Sequence, residues 1–545
     1  MMIKRLPQIL MSLIILTSCY PLSTVQASAQ TTTMYTTAKN GLHDRPSQVQ
    51  LSTRQQALMK QDHYVQVIDT EKQQTFSGVG GALTDSAAHV LKTATPAHRN
   101  QILDAYFGKN GAHYTNVRLT IGSSDFSTHS YDYDTMPSGK TDPTLKHFSM
   151  AADKVNVAPI LKQIRMRDAQ LTFYAAPWAP PAWMKESHNR LGNSFITNNA
   201  LKRSAYKSYA DYLVKYLKTQ QENGISIRYL SLQNELQASS PWESLTWTPD
   251  AAADFITNYL GPALTQSHLK TQLLVWDYVR SNLTQPVMMG FNTWTQFFYA
   301  HPDVTKYVHG IGIHWYAANL DPQMIIGNIK QQPAWDDNFT NLDRFHTLEP
   351  HQHILATEAT QERGVWLNSW RPASHYAYDI IHDFNHHVES YLDWNLVLDE
   401  HGGPTHAGIN NPCSAPINVL HAGQQNERVV INPAYYVLKR VSREAQPGTV
   451  SVKTHSHRVN VDATAIMQRN KAVTVLLNNP DNRPATLKVV NGHTVAQVTL
   501  LPHSFNSIRL PKAAGQLSAV RQPKANVWQQ RWQYFSQHWL VPLMP

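Results

Sequence analysis

The sequence predicts an α/β protein: a (β/α)8 TIM barrel with an appended antiparallel β-sandwich. Two patterns and a length carry that prediction. Eight short apolar runs, at 76–84, 114–122, 171–178, 227–235, 272–278, 308–316, 353–359 and 390–398, alternate with longer amphipathic stretches. This is the rhythm of a parallel sheet closed by crossover helices. Beyond about Arg440 the period drops to two, in Thr449-Val450-Ser451-Val452, Val473-Thr474-Val475-Leu476-Leu477, Thr486-Leu487-Lys488-Val489-Val490 and Ser507-Ile508-Arg509-Leu510. Turn signals such as Asn478-Asn479-Pro480-Asp481 and Asn491-Gly492 separate these strands. The 545 residues hold one barrel of about 250 to 400 residues and a smaller companion.

Residues 1–29 read as an export signal, in which Lys4 and Arg5 precede a short apolar core from Ile9 to Leu16. Two processing sites compete. Ala27-Ser28-Ala29 suits signal peptidase, whereas Leu16-Thr17-Ser18-Cys19 resembles a lipobox whose cysteine becomes the lipidated first residue. The expectation is an exported protein, secreted, periplasmic or lipid-anchored through Cys19. Residues 30–60, rich in Thr and Gln, are expected to form a linker. Residues 61–75 contain the alternation Tyr64-Val65-Gln66-Val67-Ile68 and are expected to give a strand to the sandwich. The barrel is then expected over 76–440 and the sandwich over 441–515. The tail at 516–545 carries Trp528, Trp532, Tyr534, Phe535 and Trp539, and is expected to pack against the body. Among the helices, 201–221 is the clearest, with Tyr206, Tyr209, Ala210, Leu213 and Leu217 at helical spacing.

Composition narrows the function classes. Hydrophobic residues make up 42% and charged residues 16%, which suits a folded globular protein rather than a disordered one. The net charge of +9 is scattered, with no run of four basic residues, so nucleic acid is not an expected partner. Contact with an anionic membrane surface stays open, although no later segment has the roughly 18 uninterrupted apolar residues of a membrane span. Cys19 and Cys413 are the only cysteines. Once Cys19 is removed or lipidated no internal disulfide can form, and a packed core must hold the protein.

Two of the apolar runs end in a glutamate: Leu230-Ser231-Leu232-Gln233-Asn234-Glu235 and Ile354-Leu355-Ala356-Thr357-Glu358. Burying an unpaired carboxylate costs several kcal/mol, so an acid at the end of a buried strand calls for a reason. Glycoside hydrolysis supplies one: it needs two such acids across a sugar ring. Asn234 beside Glu235 suits a bond to a sugar 2-hydroxyl, and the pair would equally suit a helix cap. Glu358 would also serve as an acid at a helix start. A nucleophilic carboxylate must stay ionised, which requires hydrogen bonds or positive charge nearby. Arg118 in the second run and Tyr316 at the end of the sixth are candidates to supply these. His314 and Asp277 are further polar residues at strand ends. Trp178, Trp183, Trp315 and Trp394 lie at or just past strand ends, where aromatic rings suit sugar faces and also suit plain packing. Asp85 and Trp178 are expected against the sugar at the base of the pocket. His382, His386 and His387 are expected on the surface away from the rim; no metal-ligand cluster and no Gly-x-Ser-x-Gly elbow is present.

Ordered motifs add a family resemblance. They are Gly78-Val79-Gly80-Gly81-Ala82-Leu83-Thr84-Asp85-Ser86-Ala87, Val117-Arg118-Leu119, Ser124-Asp125-Phe126-Ser127 and Pro177-Trp178-Ala179-Pro180-Pro181-Ala182-Trp183-Met184-Lys185. Gln233-Asn234-Glu235, Gly312-Ile313-His314-Trp315-Tyr316, Thr357-Glu358-Ala359, Asp393-Trp394-Asn395-Leu396 and Gly402-Gly403-Pro404 follow. Together the chain resembles glycoside hydrolase family 30, in its glucosylceramidase (acid β-glucosidase) branch. The resemblance implies Glu235 as general acid/base and Glu358 as nucleophile of a retaining double displacement. It implies that Asp85, Trp178, Asn234 and Trp394 bind the glucosyl unit, and that Arg118 and Tyr316 set the charge and position of Glu358. Asp277 matches a family position at the end of the fifth strand. The family commonly reads Asn-Glu-Pro around the acid, whereas this chain reads Asn234-Glu235-Leu236-Gln237, and it carries extra length around 281–290 and 331–346. Family cysteines near the N-terminus are absent.

The expected activity is hydrolysis of a β-glucosidic bond, in glucosylceramide or a related β-glucoside, with no metal or organic cofactor. An endo-β-1,6-glucanase of the same family is the alternative, and a glycan- or lipid-binding protein with an inactive barrel is the alternative of another class. The sequence leaves the oligomeric state and the aglycone open.

Overall fold

Eight parallel strands close into a barrel: Gly78–Leu83, Asn116–Ile121, Thr172–Pro177, Ile227–Ser231, Gln272–Val279, Val308–His314, His353–Glu358 and Val388–Asn395. Each pairs with the next and the eighth pairs with the first, so the sheet has no free edge. The computed structural model describes residues 30–53, 61–192, 199–281, 291, 294, 296–316, 338–406 and 408–513. Both faces of the barrel strands are covered, which is why they read as continuous apolar runs rather than alternating ones. The rim expected to carry the site lies at the strand C-termini, as in other barrels of this class.

The eight expected runs coincide with the eight strands, although several ends differ, and two of those differences bear on the site. The fourth strand stops at Ser231, so Glu235 does not end a strand; it lies in a turn with φ +47°. The backbone there still bonds its neighbours without a regular ladder: Leu232 N donates to Leu274 O (2.8 Å), Asn234 N to Pro177 O (2.9 Å) and Glu235 N to Asp277 O (2.9 Å). The sixth strand stops at His314, two residues before Tyr316. The expected helix is found at Tyr206–Glu222, preceded by a short turn at Arg203–Ala205. It buries the anticipated face together with Tyr212 and Tyr216.

The second sheet is built from nine strands whose pairing runs all the way round. In spatial order they are Thr31–Ala38, Arg45–Thr53, Thr494–Leu500, Ala485–Asn491, Tyr64–Thr75, Val450–His457, Asp462–Met467, Val473–Asn479 and Ser504–Leu510. The expected strand at 61–75 is therefore present. The linker expected at 30–60 is not: two of its segments are strands of this sheet. Threonine is polar by composition but β-branched, so a Thr-rich run suits a strand with one wet face. Two buried threonines also find partners: Thr36 Oγ1 donates to Asn506 Oδ1 (2.8 Å), and Thr37 Oγ1 accepts from Asp44 N (2.9 Å). Valines 65, 67, 452, 473, 475 and 489 form the centre of its core. The last barrel helix, Pro433–Glu444, runs four residues past the expected boundary before the chain enters this sheet.

Cys413 is buried and free. The export signal with Cys19, the aromatic tail from 516, and most of the extra length at 281–290 and 331–346 lie outside the described residues; 340–348 forms a helix. Among the described residues, no helix is long and apolar enough to cross a membrane.

Candidate active site

Arg118 organises the site. It projects from the second strand, is 1% exposed, and meets residues from most of the barrel. Its Nη1 donates to Glu358 Oε2, and its Nη2 donates to Asn234 Oδ1 (2.8 Å) and Asp277 Oδ2 (3.0 Å). The guanidinium carbon lies 5.0 Å from the Trp178 ring centre and 5.4 Å from that of Trp394, and the two indoles stack on each other at 5.1 Å. A buried cation is tolerable only when its donors are spent on good acceptors, and here anions and π-faces serve together. Burial alone would lower its pKa, but the charges of Asp277 and Glu358 raise it.

Glu358 closes the seventh strand, and its second oxygen accepts from Tyr316 OH at 3.1 Å. Glu235 faces it. Glu235 Oε1 lies 3.2 Å from His314 Nδ1, and the other ring nitrogen, Nε2, lies 3.3 Å from Asp277 Oδ1. Burial would lower the His314 pKa, but the Glu358 charge and the bonds to Asp277 and Glu235 outweigh it and lift it to about 9. The imidazolium thus donates from both nitrogens. Asp277, though buried, is held well below the usual carboxylate range by Arg118, His314 and Thr357. Glu235 moves the other way. Its burial, with the like charges of Glu358 and Asp277, raises its pKa despite His314.

Local backbone irregularity aims these groups. The pairing register slips between Trp276 and Tyr278, between Ala356 and Glu358, and between Asp393 and Asn395. Each slip leaves one extra residue, respectively Asp277, Thr357 and Trp394, all at the rim, where bulges redirect side chains. Glu235, Trp276 and Asp277 all have positive φ (47°, 69° and 47°), backbone strain of about 1–3 kcal/mol each that the surrounding bonds must hold. Gly312 keeps the room: a Cβ there would fall 2.5 Å from Asp277 Oδ1 and 2.9 Å from Thr357 Oγ1.

Glu235, Glu358, Arg118, Asn234, Trp178, Trp394, Tyr316, His314 and Asp277 are therefore brought together. Asp85 is not. It occupies the first position of the helix Asp85–Thr93, capped by Thr84. Its carboxylate is consumed by Thr128 N and Oγ1 (both 2.8 Å) and Asn156 Nδ2 (2.9 Å), which turns it from the pocket into the wall. Trp183 and Trp315 also belong to the packing, donating to Asp134 and to Thr360 O respectively. The acid on the pocket side is Asp125, bonded by Asn411 (2.9 Å). Burial raises its pKa, and the charges of Glu358, Glu235 and Glu243 add to that, against the Asn411 bond. Its signal in the sequence was the motif Ser124-Asp125-Phe126 after the second strand. Thr357, which bonds Asp277, carried none of its own.

Among the described residues, one group has donor atoms spaced to hold a cation: Glu235, His314 and Glu358, all within 4.8 Å of one another. That group is the acid pair itself, with the imidazole that bridges Glu235 and Asp277. The same spacing brings one oxygen of each glutamate within 4.8 Å of the other, nearer the roughly 5–5.5 Å of retaining glycosidases than the roughly 6.5–9.5 Å of inverting ones. His386 and His387 lie beside Asp343 (2.9 and 3.5 Å), at the far end of the helix from the rim.

A barrel with paired carboxylates at its C-terminal rim, one cation-bound and one with a raised pKa, defines a glycoside hydrolase. The family model for the glycosyl hydrolase family 30 TIM-barrel domain matches residues 76–444, and the chain belongs to that family. It is 31% identical to putative glucosylceramidase 3 of Caenorhabditis elegans, over 81% of this chain and 80% of that one. It is 28% identical to the lysosomal acid glucosylceramidase of Mus musculus, over 76% and 78%, and 28% identical to an endo-1,6-beta-D-glucanase of Neurospora crassa, over 70% and 72%. Among solved structures, SrfJ from Salmonella typhimurium superposes with a TM-score of 0.78 at 23% identity, covering 89% of this chain and all of that one.

Proposed function

We propose that this chain is a retaining β-glucosidase acting on glucosylceramide or a related β-glucoside. The observation that carries the reading is the asymmetric acid pair. Glu358 accepts from Arg118 and Tyr316, while Glu235, its pKa raised by burial, has an oxygen within 4.8 Å of one of Glu358. Glu358 attacks the anomeric carbon as the Glu235 proton passes to the glycosidic oxygen, and the aglycone leaves as an alcohol. Bonding to the sugar removes the Glu358 charge, and with it one cause of the raised Glu235 pKa. Glu235 is then the stronger base the second step needs. It takes a proton from water, the resulting hydroxide attacks the anomeric carbon, and Glu358 leaves with β-glucose formed. Asn234, fixed by Arg118 through its Oδ1, turns its amide hydrogens to the sugar 2-hydroxyl, and Asp125 accepts from hydroxyls farther round the ring.

A 2-deoxy-2-fluoroglucoside should leave a covalent sugar on Glu358, mapped by peptide mass spectrometry, and Glu358→Gln should abolish aryl β-glucoside hydrolysis. An adduct on another residue, or an active Glu358→Gln, would refute the assignment. The similarity to the Neurospora relative keeps the endo-β-1,6-glucanase as the second reading. Release of short oligosaccharides from β-1,6-glucan, with glucosylceramide untouched, would favour it. The protein is proposed to be exported, by the N-terminal signal or through lipidated Cys19, with its net charge of +9 aiding approach to an anionic membrane.

A further inference from the structure

Four residues past Glu358 stands another acid, Glu362, that the chemistry above does not use. It belongs to a two-residue strand, Gln361–Glu362, paired antiparallel with Cys413–Ser414, so that Glu362 lies opposite Cys413. Gln361 is buried and turned outward, its Oε1 3.4 Å from His375 Nδ1 on the helix Trp370–Asn385. Successive side chains of a strand point to opposite faces, so Glu362 turns the other way, toward the barrel mouth. The segment is pinned there. Thr360 Oγ1 donates to Ser414 O (3.1 Å), Gly364 N to Pro412 O (2.9 Å) and Trp366 N to Ser414 Oγ (3.2 Å). Arg363 takes the left-handed turn, at φ +64°, immediately after it.

We infer that Glu362 is a third carboxyl of the pocket, on the leaving-group side, and that it selects aglycones bearing a hydrogen-bond donor, above all a protonated amine. Its place among the charges supports this. Burial and then the charge of Glu235 do most to push its pKa up to about 7, with Glu358 adding less and Arg363 offsetting only in part. Tyr278 on the fifth strand, Tyr316 after the sixth and Cys413 opposite all feel its charge. Of the two catalytic carboxyls it is thus Glu235, the one that protonates the departing oxygen, that Glu362 senses more. Glu358 and Asp277 are already matched by Arg118 and His314, so an ionised Glu362 adds negative charge at the mouth that Arg363 offsets only in part. A positively charged leaving group relieves that excess, and a neutral apolar one leaves it in place.

The inference rests on the β-glucosidase reading, and its test is a matched pair of substrates. One is an aminoalkyl β-glucoside and the other the alkyl β-glucoside of equal length, each compared by kcat/KM from about pH 5 to 9, with an aryl β-glucoside as control. The alkylamine stays protonated throughout, whereas a carboxyl with a pKa of about 7 ionises within that window. The amino-to-alkyl ratio in the native chain should rise with pH through neutrality, by roughly three- to tenfold for a partly buried ion pair. In Glu362→Gln the ratio should be flat, and Glu362→Asp should restore part of the slope. A residue that served only structure would change both substrates together and leave the ratio alone. A ratio that is flat in the native chain, or equally steep in Glu362→Gln, overturns the inference while aryl glucoside cleavage leaves the glucosidase reading standing. Failure to cleave any of the three glucosides overturns both.

Discussion

Replacing His314 with glutamine tests the electrostatic logic of the site most directly. His314 is 1% exposed, and its pKa rises from an ordinary 6.5 to about 9. Between those values the folded protein binds a proton that the unfolded chain has released. The contribution to stability is therefore complete below about pH 6.5 and is lost as pH rises through 9. The rise from 6.5 to about 9, at about 1.4 kcal/mol per pH unit, makes this about 3.5 kcal/mol. Glutamine can still donate to one carboxylate, but it carries no charge and no titration. Urea unfolding followed by tryptophan fluorescence, in native and His314→Gln chains, should show a stability difference that shrinks by about 3.5 kcal/mol from about pH 6 to beyond pH 9. Activity supplies an independent sign. The imidazolium favours the ionised form of Glu235, so its loss lets Glu235 keep its proton to higher pH. The alkaline limb of kcat/KM should move upward. A stability difference that does not vary with pH, or an alkaline limb that moves downward, would refute the assignment of a buried imidazolium between Glu235 and Asp277.

Two further outcomes follow from the same geometry. Tyr316→Phe removes the hydroxyl that donates to Glu358 at 3.1 Å. A hydrogen bond to a charged group contributes about 1.5–3 kcal/mol, so kcat/KM for aryl β-glucosides should fall by roughly one to two orders of magnitude; an unchanged kcat/KM would remove Tyr316 from the nucleophile's environment. Asp85 and Asp125 should separate cleanly. Asp85→Ala strips three bonds from the wall and should cost about 1–3 kcal/mol of stability with KM for aryl glucosides unchanged. Asp125→Asn should raise KM, and the reverse pattern would return the sugar contact to Asp85.

The contrast between those two aspartates marks how far the sequence reaches. Periodicity placed all eight barrel strands, since buried parallel strands leave unbroken apolar runs. It misjudged the segment at 30–60, where threonine looks polar in composition yet is β-branched enough to build two strands. Asp85 and Asp125 both follow strands and both stand in ordered motifs, so nothing linear ranks one above the other. What separates them is that Thr84 caps a helix and draws Asp85 into its first turn, where Thr128 and Asn156 complete its coordination.

The same limit holds for the two glutamates, and there it has a mechanical cause. A ladder in perfect register would send Asp277, Thr357 and Trp394 to faces fixed by their position in the strand. The three slips at the rim give each an extra residue's worth of turn, and positive φ at Trp276 and Asp277 completes it. No residue type in those runs announces a bulge; tertiary demand does, because Arg118 needs acceptors from several strands at once to be buried at all. Satisfying that one guanidinium fixes Glu358, Asn234 and Asp277 together. Glu358 and Asp277 together then charge His314, and His314 in turn faces Glu235. The difference between the two catalytic carboxyls is thus a consequence of where a single cation sits, with Glu358 against it and Glu235 one imidazole removed.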